Sequence, residues 1–326
     1  MLRCMYSGIS GMKVNQTKLD VIGNNIANVG TTSFKSSRAE FSDMLYQNAG
    51  EASAPTSTKG GTNAKQVGLG AKLSSINKVM SQGNALSTGR SLDVCVDGDG
   101  YLMVGKGAVD GNIALTSNAI TGGTMQETLY TRDGNLTLDK DGNLLTADGY
   151  RVMGYNVGSA LTQATTGTTA TYVNADDTTQ TADESKLIPL IIPDSVTNGS
   201  IQDPIKKFEI GKDGRITAVL GSGSRTVLGQ IAMANFKNPE GLTGIGGNLL
   251  QVSSNSGATI VKSGYGSSTD NSGGYGDLVQ GCLEGSNVDL TEQFTDMITA
   301  TRSFQAAGKM ITTGDEILQT ITGLMR

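Results

Sequence analysis

Hydrophobic residues recur every seven positions near the C-terminal end of the chain. Apolar side chains at this spacing form one stripe along an α-helix. Asp289 stands where an N-terminal helix cap is expected, with Glu292 three residues later. The pattern therefore predicts a long helix over residues 286–326, whose seam consists of Leu290, Met297, Phe304, Ile311, Leu318 and Met325.

A second row beside this seam is mostly small, with Ala300, Ala307, Gly314 and Ile321. Small residues beside a seam of large ones let another helix backbone come close. A single amphipathic helix would ordinarily fold onto its own domain. The row of small residues instead favours packing against a second helix.

The N-terminal residues 1–30 repeat the heptad pattern. Met5, Met12, Leu19 and Ile26 are spaced by seven, and Leu2 and Ile9 lie alongside. Residues 1–30 carry three bases and one acid (+2), whereas residues 286–326 carry three bases and five acids (−2). These charges favour pairing of the two ends. We predict an α+β protein whose terminal helices pair as a coiled-coil-like rod.

An Asn- and Gly-rich stretch ends the first predicted helix. Residues 23–35 include Asn24, Asn25 and Asn28, followed by two threonines. An ordinary Asn/Gly helix stop accounts for this composition. We also expect the amides to hydrogen-bond to neighbouring backbone where apolar packing ends.

Between the helices the pattern becomes that of β-strands. Alternating runs such as 92–97 are separated by Asp-Gly pairs at Asp133, Asp141, Asp148 and Asp213, a spacing typical of consecutive hairpins. We predict paired terminal helices over 1–30 and 286–326 and a connector over 31–70. The mainly β body occupies 71–154 and 209–285, with a small β insert domain on the outside over 155–208.

Composition narrows the function. The formal charge is 25 − 30 = −5 and no basic cluster stands out, which argues against nucleic acid as a partner. No apolar run is long enough to insert in a membrane, and residues 1–11 do not resemble a secretory signal. The cysteines Cys4, Cys95 and Cys282 are widely separated, so we predict neither a disulfide framework nor a metal site.

Catalysis finds little support in the residue types. The chain has no histidine, which removes the commonest general base and metal ligand. Ser10 with Lys13, and Ser75 with Lys78, have the spacing of a serine/lysine dyad, but such short patterns arise by chance. We predict a protein that is not an enzyme and binds no cofactor. A monomeric adhesin would explain the β body but not two apolar seams at the ends.

The ends resemble the bacterial flagellar axial proteins, the rod and hook family. The resemblance is carried by residues 1–3, 6–11, 19–28, 31–35 and 283–292, with supporting matches at 83–93, 97–101 and 235–242. It spans nearly the whole chain outside 155–208. Ser33 stands where the family often has Gly, and Cys95 where it often has Ala.

The resemblance implies a structural subunit of a helical tube, exported without a cleaved signal and located outside the cell in the flagellum. The terminal helices would line the inner tube. Length and the 155–208 insert favour a hook subunit acting as a flexible universal joint, with a distal rod subunit as the alternative. Implied partners are further copies of itself, the distal rod protein, the hook cap, the hook-filament junction protein and the type III export apparatus.

The predicted assembly interface consists of the apolar, small and amide residues of the two ends. These candidates are Leu2, Met5, Ile9, Met12, Leu19, Asn24, Asn25, Ile26, Asn28, Leu290, Phe294, Met297, Ala300, Phe304, Ala307, Ile311, Gly314, Leu318, Ile321 and Met325.

Overall fold

A computed structural model describes residues 2–57, 59–116, 118–163, 169–177, 182–199, 201–262 and 276–324, with only the backbone of Leu2 and Arg3. The chain divides into two compact units. We call residues 1–30, 35–79 and 288–326 the helical unit, and residues 31–34 and 80–287 the β unit.

The helical unit contains both long helices. Helix α1 is Leu2–Ala27 and helix α2 is Leu290–Leu324. Asp289 caps α2, because its Oδ1 accepts a hydrogen bond from the Thr291 N–H at 2.8 Å. The same unit holds the antiparallel pairs β1 (Ser37–Asp43) with β4 (Ala71–Lys78) and β2 (Tyr46–Gly50) with β3 (Lys65–Gly68). Three of these strands occupy the predicted connector, where the sequence shows no strong alternation.

The β unit holds the remaining strands. In chain order they are β5 (Ala85–Ser87), β6 (Val94–Asp97), β7 (Tyr101–Lys106), β8 (Ile113–Thr116), β9 (Ala119–Gly123), β10 (Glu127–Thr131), β11 (Leu136–Leu138), β12 (Leu144–Thr146), β13 (Arg151–Val157), β14 (Leu161–Thr162), β15 (Thr169–Ala170), β16 (Ala182–Pro189), β17 (Ser195–Asn198), β18 (Ile201–Ile210), β19 (Arg215–Leu220), β20 (Arg225–Ile231), β21 (Met233–Asn235), β22 (Thr243–Gly246), β23 (Leu249–Gln251), β24 (Ile260–Lys262), β25 (Asp277–Gln280) and β26 (Cys282–Glu284). A short 3₁₀ helix spans Pro239–Gly241.

A closed barrel forms the centre of the β unit. Strands β13, β16, β8, β9, β24 and β21 pair with one another in that order, all antiparallel. Strand β20, which runs into β21, closes the ring by pairing with β13. Only Ala232 separates β20 from β21, so one run of chain pairs with β24 at one end and with β13 at the other. Closure removes the unpaired strand edges that an open sheet would present.

Strand alternation gives the β unit two apolar cores. On β7, Tyr101 and Met103 belong to one core while Leu102 and Val104 belong to the other. Successive side chains of a strand point to opposite faces of the sheet. A strand buried on both faces therefore stabilises both cores and reads as a continuous apolar run rather than as alternation.

Three of the four predicted Asp-Gly turns join paired strands, whereas Asp133-Gly134 lies between β10 and β11, which do not pair with each other. Strands β11 and β12 pair across residues 139–143, and Gly142 adopts a φ of +79°. The next turn places Gly149 at a φ of +82°. Both values lie in the left-handed region that favours glycine, so hairpins account for these acidic residues.

Residues 155–208, predicted as an outer insert, lie in the same compact unit as the body. Strand β16 of this segment pairs with both β13 and β8 in the barrel wall. Leu187 of β16 is fully buried in the core that also holds Met103 and Tyr155. The low-complexity composition near residues 161–185 concealed this strand.

We predict that Leu187→Ala lowers the free energy of unfolding of the β unit by about 2–5 kcal/mol, because it leaves a cavity in a shared core. The matched control is Lys186→Ala, at the exposed neighbouring position, which should change it by less than about 0.5 kcal/mol. Urea unfolding followed by β-sheet circular dichroism measures both. An unchanged midpoint for Leu187→Ala would mean that 155–208 folds apart from the barrel.

Candidate assembly interface

Small residues set the distance between α1 and α2. A Cβ placed on Gly8 would lie 3.4 Å from Cγ1 of Ile311, and one on Gly11 would lie 3.9 Å from Cβ of Ala307. A Cβ on Gly314 would lie 3.2 Å from Cγ of Met5. Ala307 and Gly314 of the predicted small row therefore face Gly11 and Met5 of α1, and the two backbones come close together.

Polar contacts continue the same pairing along the helices. Lys18 Nζ lies 3.2 Å from Asp296 Oδ1, and the Asn25 amide donates to Gln293 Oε1 at 3.0 Å. Partners on α2 move toward its N-terminus as positions on α1 move toward its C-terminus, so the helices are antiparallel. The Lys18–Asp296 pair is partly exposed and contributes little stability, about 0–1 kcal/mol.

The three asparagines at the end of α1 have different environments. Asn25 is 1% exposed. Its Nδ2 donates to the Ser37 carbonyl at 2.8 Å and its Oδ1 accepts from the Ser37 N–H at 2.9 Å. Asn28 instead donates to the Asn24 carbonyl at 2.9 Å, and Asn24 is exposed. Asn25 therefore hydrogen-bonds to the start of β1 as well as to α2.

The predicted interface residues of the two helices divide into a buried or partly buried group and an exposed group. Those of α1 that are partly buried are Met5, Met12, Leu19 and Ile26, and those of α2 are Met297, Ala307, Ile311 and Leu318, with Ala300 and Gly314 buried. Exposed candidates are Ile9, Leu290, Phe294, Phe304 and Ile321. The side chain of Leu2 and all of Met325 lie outside the described residues.

Several exposed apolar residues of the helices were missed by the sequence reading. Tyr6 is 68% exposed, Ile298 61% and Leu324 82%, and Met310 and Ile317 are also exposed. Of these, Met310, Ile317 and Leu324 form a further row at seven-residue spacing beside the predicted rows.

Two apolar grooves lie on the helical unit. One, of about 650 Å³, is bounded by α1 and by strand residues, including Tyr6, Ile9, Val14, Leu69 and Leu73. The other, of about 450 Å³, runs along the helix pair and is lined by Cys4, Ala306, Lys309, Met310, Thr313, Gly314 and Ile317. Exposed apolar surface of this kind marks sites of protein–protein contact.

The serine/lysine spacings do not produce a dyad on β4. Ser75 and Lys78 lie three residues apart on one strand, so their side chains project from opposite faces. Ser75 Oγ donates to Glu40 Oε2 at 3.4 Å, and burial lowers the pKa of Lys78. On α1, Ser10 Oγ donates to the Ser7 carbonyl at 2.8 Å.

Among the described residues, no three His, Cys, Asp or Glu side chains cluster as metal ligands would. No helix in the described part of the chain is long and apolar enough to cross a membrane. Cys95 is buried, and desolvation together with the nearby Glu284 carboxylate raises the pKa of its thiol to about 11. A thiol in this environment is a weak nucleophile at neutral pH.

Three flagellar families match the chain in order. "Flagella basal body rod protein" matches residues 5–35, "Flagellar hook protein FlgE/F/G D1 domain" matches 95–218, and "Flagellar basal body rod FlgEFG protein C-terminal" matches 279–324. The two terminal matches include most of α1 and all of α2. The central match includes barrel strands β8, β9, β13 and β16 and all of residues 155–208.

Similar proteins cover the chain from end to end. The chain is 41% identical over 326 residues to the flagellar basal-body rod protein FlgG of Bacillus subtilis, covering all of both chains. It is 30% identical to the flagellar hook protein FlgE of Borreliella burgdorferi over 454 aligned positions, covering 99% of this chain and all of that protein. Helicobacter pylori flagellar hook protein FlgE2 aligns with a TM-score of 0.41 and 10% identity over 61% of this chain and all of that one.

These matches extend from the first helix to the last and include the strands between them. The chain belongs to the flagellar rod and hook family, FlgE/F/G.

Proposed function

We propose that this chain is a structural subunit of the flagellar rod, at its distal part, and that it polymerises with itself into a helical tube. The observation that carries the proposal is the 41% identity to a rod protein over the whole length of both chains. A rod protein of Agrobacterium fabrum likewise aligns over 324 residues and 98% of each chain. Residues 155–208 therefore fall within the length of rod proteins and do not favour a hook.

The hook subunit is the second candidate. The hook protein of Borreliella burgdorferi covers 99% of this chain, but its alignment needs 454 positions, so the hook relative carries segments that this chain lacks. A hook subunit would form a bendable joint, whereas a rod subunit would form a straight shaft. In either case the role is structural rather than catalytic.

The terminal helices supply the assembly surface in this proposal. Their small residues are used within the chain, whereas Phe294, Phe304 and Ile321 remain exposed. In a tube these exposed residues would pack on neighbouring copies, extending the antiparallel pair into a coiled-coil-like inner layer. An open helical array follows when head-to-tail contacts do not close into a ring.

Partners follow from position in the tube. Further copies of the chain would contact the helical unit laterally and axially, and the type III export apparatus would deliver the subunit. A distal rod subunit would meet the hook at its outer end. A hook subunit would instead meet the distal rod protein, the hook cap and the hook-filament junction protein.

Phe294→Ser tests the assembly surface. Phe294 is 49% exposed in the chain, so the variant should keep the wild-type unfolding midpoint. It should also raise the protein concentration needed for tube formation about tenfold or more, because apolar burial between copies is lost. Thr295→Ser is the matched control, because it also introduces a serine, at the neighbouring exposed position. Wild-type polymerisation of Phe294→Ser, measured by sedimentation and electron microscopy, would remove this face from the interface.

Electron microscopy of basal bodies from cells lacking this chain separates the two candidates. A distal rod subunit predicts bodies whose rod is truncated and which carry no hook. Bodies with a complete rod and no hook would instead identify a hook subunit. Complementation with the full chain restores the missing segment in either case and serves as the control.

A further inference from the structure

The chain passes between its two compact units at four places, after Gly30, Phe34, Val79 and Asn287. Within the β unit, the segments next to these crossings are residues 31–34, 80–84 and 284–287. The first and last of these segments lie in motifs that carry the resemblance to the axial family. They are more than two hundred residues apart in the sequence, and helix pairing does not explain their composition.

Residues 31–34 are held in the β unit by hydrogen bonds on both sides of the backbone. The Thr32 carbonyl accepts from Asn248 Nδ2 at 2.8 Å, and the Ser33 N–H donates to the Glu284 carbonyl at 2.8 Å. Ser33 Oγ donates to the Arg132 carbonyl at 2.7 Å. This bond accompanies a φ of +54° at Ser33, a conformation that favours glycine.

The other two segments bond to each other. The Gly83 N–H donates to Glu284 Oε1 at 2.9 Å, and the Gly285 N–H donates to the Asn84 carbonyl at 2.8 Å. Asn287 joins all three segments, because its N–H donates to the Phe34 carbonyl at 3.3 Å and its Nδ2 donates to the Ser81 carbonyl at 3.2 Å.

A buried ion pair lies at the centre of these bonds. Arg132 Nε lies 2.9 Å from Glu284 Oε2, and the two side chains are 4% and 0% exposed. Arg132 also donates to the Gly98 carbonyl at 2.6 Å, and its guanidinium lies over the Tyr101 ring, 5.7 Å from the centroid. A buried pair persists only when its remaining donors and acceptors are bonded.

Asp133, next to Arg132, also contacts the first segment. Burial raises the pKa of the Asp133 carboxyl, and hydrogen bonds from the Asn135 N–H and the Thr32 side chain act in the opposite direction. The first segment thus contacts two consecutive residues at the end of β10.

We propose that this cluster, with Arg132 and Glu284 at its centre, is a mechanical clamp that holds the four passages of the chain together in the β unit. Load carried by the terminal helices then enters the barrel through several hydrogen bonds in parallel rather than through one strand. The mechanical role rests on the proposed function in a torque-bearing tube, but the clamp itself is a property of the single chain.

The test removes both charges at once, by the double substitution Arg132→Met and Glu284→Met in the full chain. Apolar residues of similar volume avoid leaving one buried charge unpaired. Peptide-resolved hydrogen exchange of the monomer should become about tenfold or more faster in residues 31–34, 80–85 and 284–287. Barrel peptides such as 151–157 should stay within about twofold of wild type. Arg225→Met, at a partly exposed cation of the β unit, is the control and should change neither set.

Uniformly faster exchange across the barrel would show that the pair only supports the core, and unchanged exchange everywhere would show that it holds nothing; both results overturn the clamp. If the double variant fails to fold, Glu284→Gln retains an acceptor for Gly83 and is read in the same way.

Pulling the chain between Cys4 and a cysteine introduced by Lys140→Cys, with the other cysteines replaced, should give extension at lower force in the clamp variants. Equal force would contradict load transfer. These measurements need no polymer, so their failure is distinct from failure to assemble.

Discussion

Close packing of α1 against α2 is the contact on which the organisation of the helical unit depends. It requires small residues on both helices, with Gly8 and Gly11 facing Ile311 and Ala307. Glycine inside a helix costs about 1 kcal/mol relative to alanine, and at Gly8 and Gly11 the close approach of α2 accounts for that cost. The contact joins residues about three hundred positions apart, while large apolar residues of α2 such as Phe294 and Phe304 stay exposed in the chain.

The β unit is stabilised differently. Its strands alternate between two cores, and barrel closure pairs the run from β20 to β21 with strands on both sides. Burial of Leu102, Met103 and Val104 on one strand stabilises both layers at once. A buried polar exception is the Arg132–Glu284 pair, and Glu284 Oε1 accepts from the Gly83 N–H in one of the segments that leave the unit. Apolar burial accounts for the barrel, and directional bonds account for where the chain leaves it.

Local patterns predicted the features that local physics determines. The heptads gave both helices to within a few residues, because amphipathic periodicity survives without knowledge of the partner. Three of the four Asp-Gly pairs predicted hairpin turns correctly, because a left-handed turn favours glycine whatever surrounds it. The role of Asn25 was anticipated in kind, although nothing in the sequence distinguished it from the exposed Asn24.

The pairing of strands that are distant in sequence could not be predicted from the sequence. Strands β1 to β3 lie in a segment predicted as connector, and β16 lies in a segment predicted as an insert. Their residues alternate weakly, and their partners are distant in sequence. No sequence pattern distinguishes Glu284 and Arg132 from the exposed charges of the chain. Only the meeting of residues 31–34 with 284–287 shows why both are buried, and no periodicity encodes that meeting.

A disulfide between Gly11→Cys and Ala307→Cys tests the pairing of the ends most directly, in a chain whose Cys4, Cys95 and Cys282 are replaced. The Cβ separation of 3.9 Å lies within the range of about 3.5–4.5 Å found in disulfides. Mild oxidation should give an intramolecular bond in the monomer, seen as a mobility shift that reductant reverses. Gly11→Cys with Gln305→Cys, on another face of α2, should not cross-link. Cross-links formed only between chains, or equally by both pairs, would contradict the pairing of α1 with α2 within one chain.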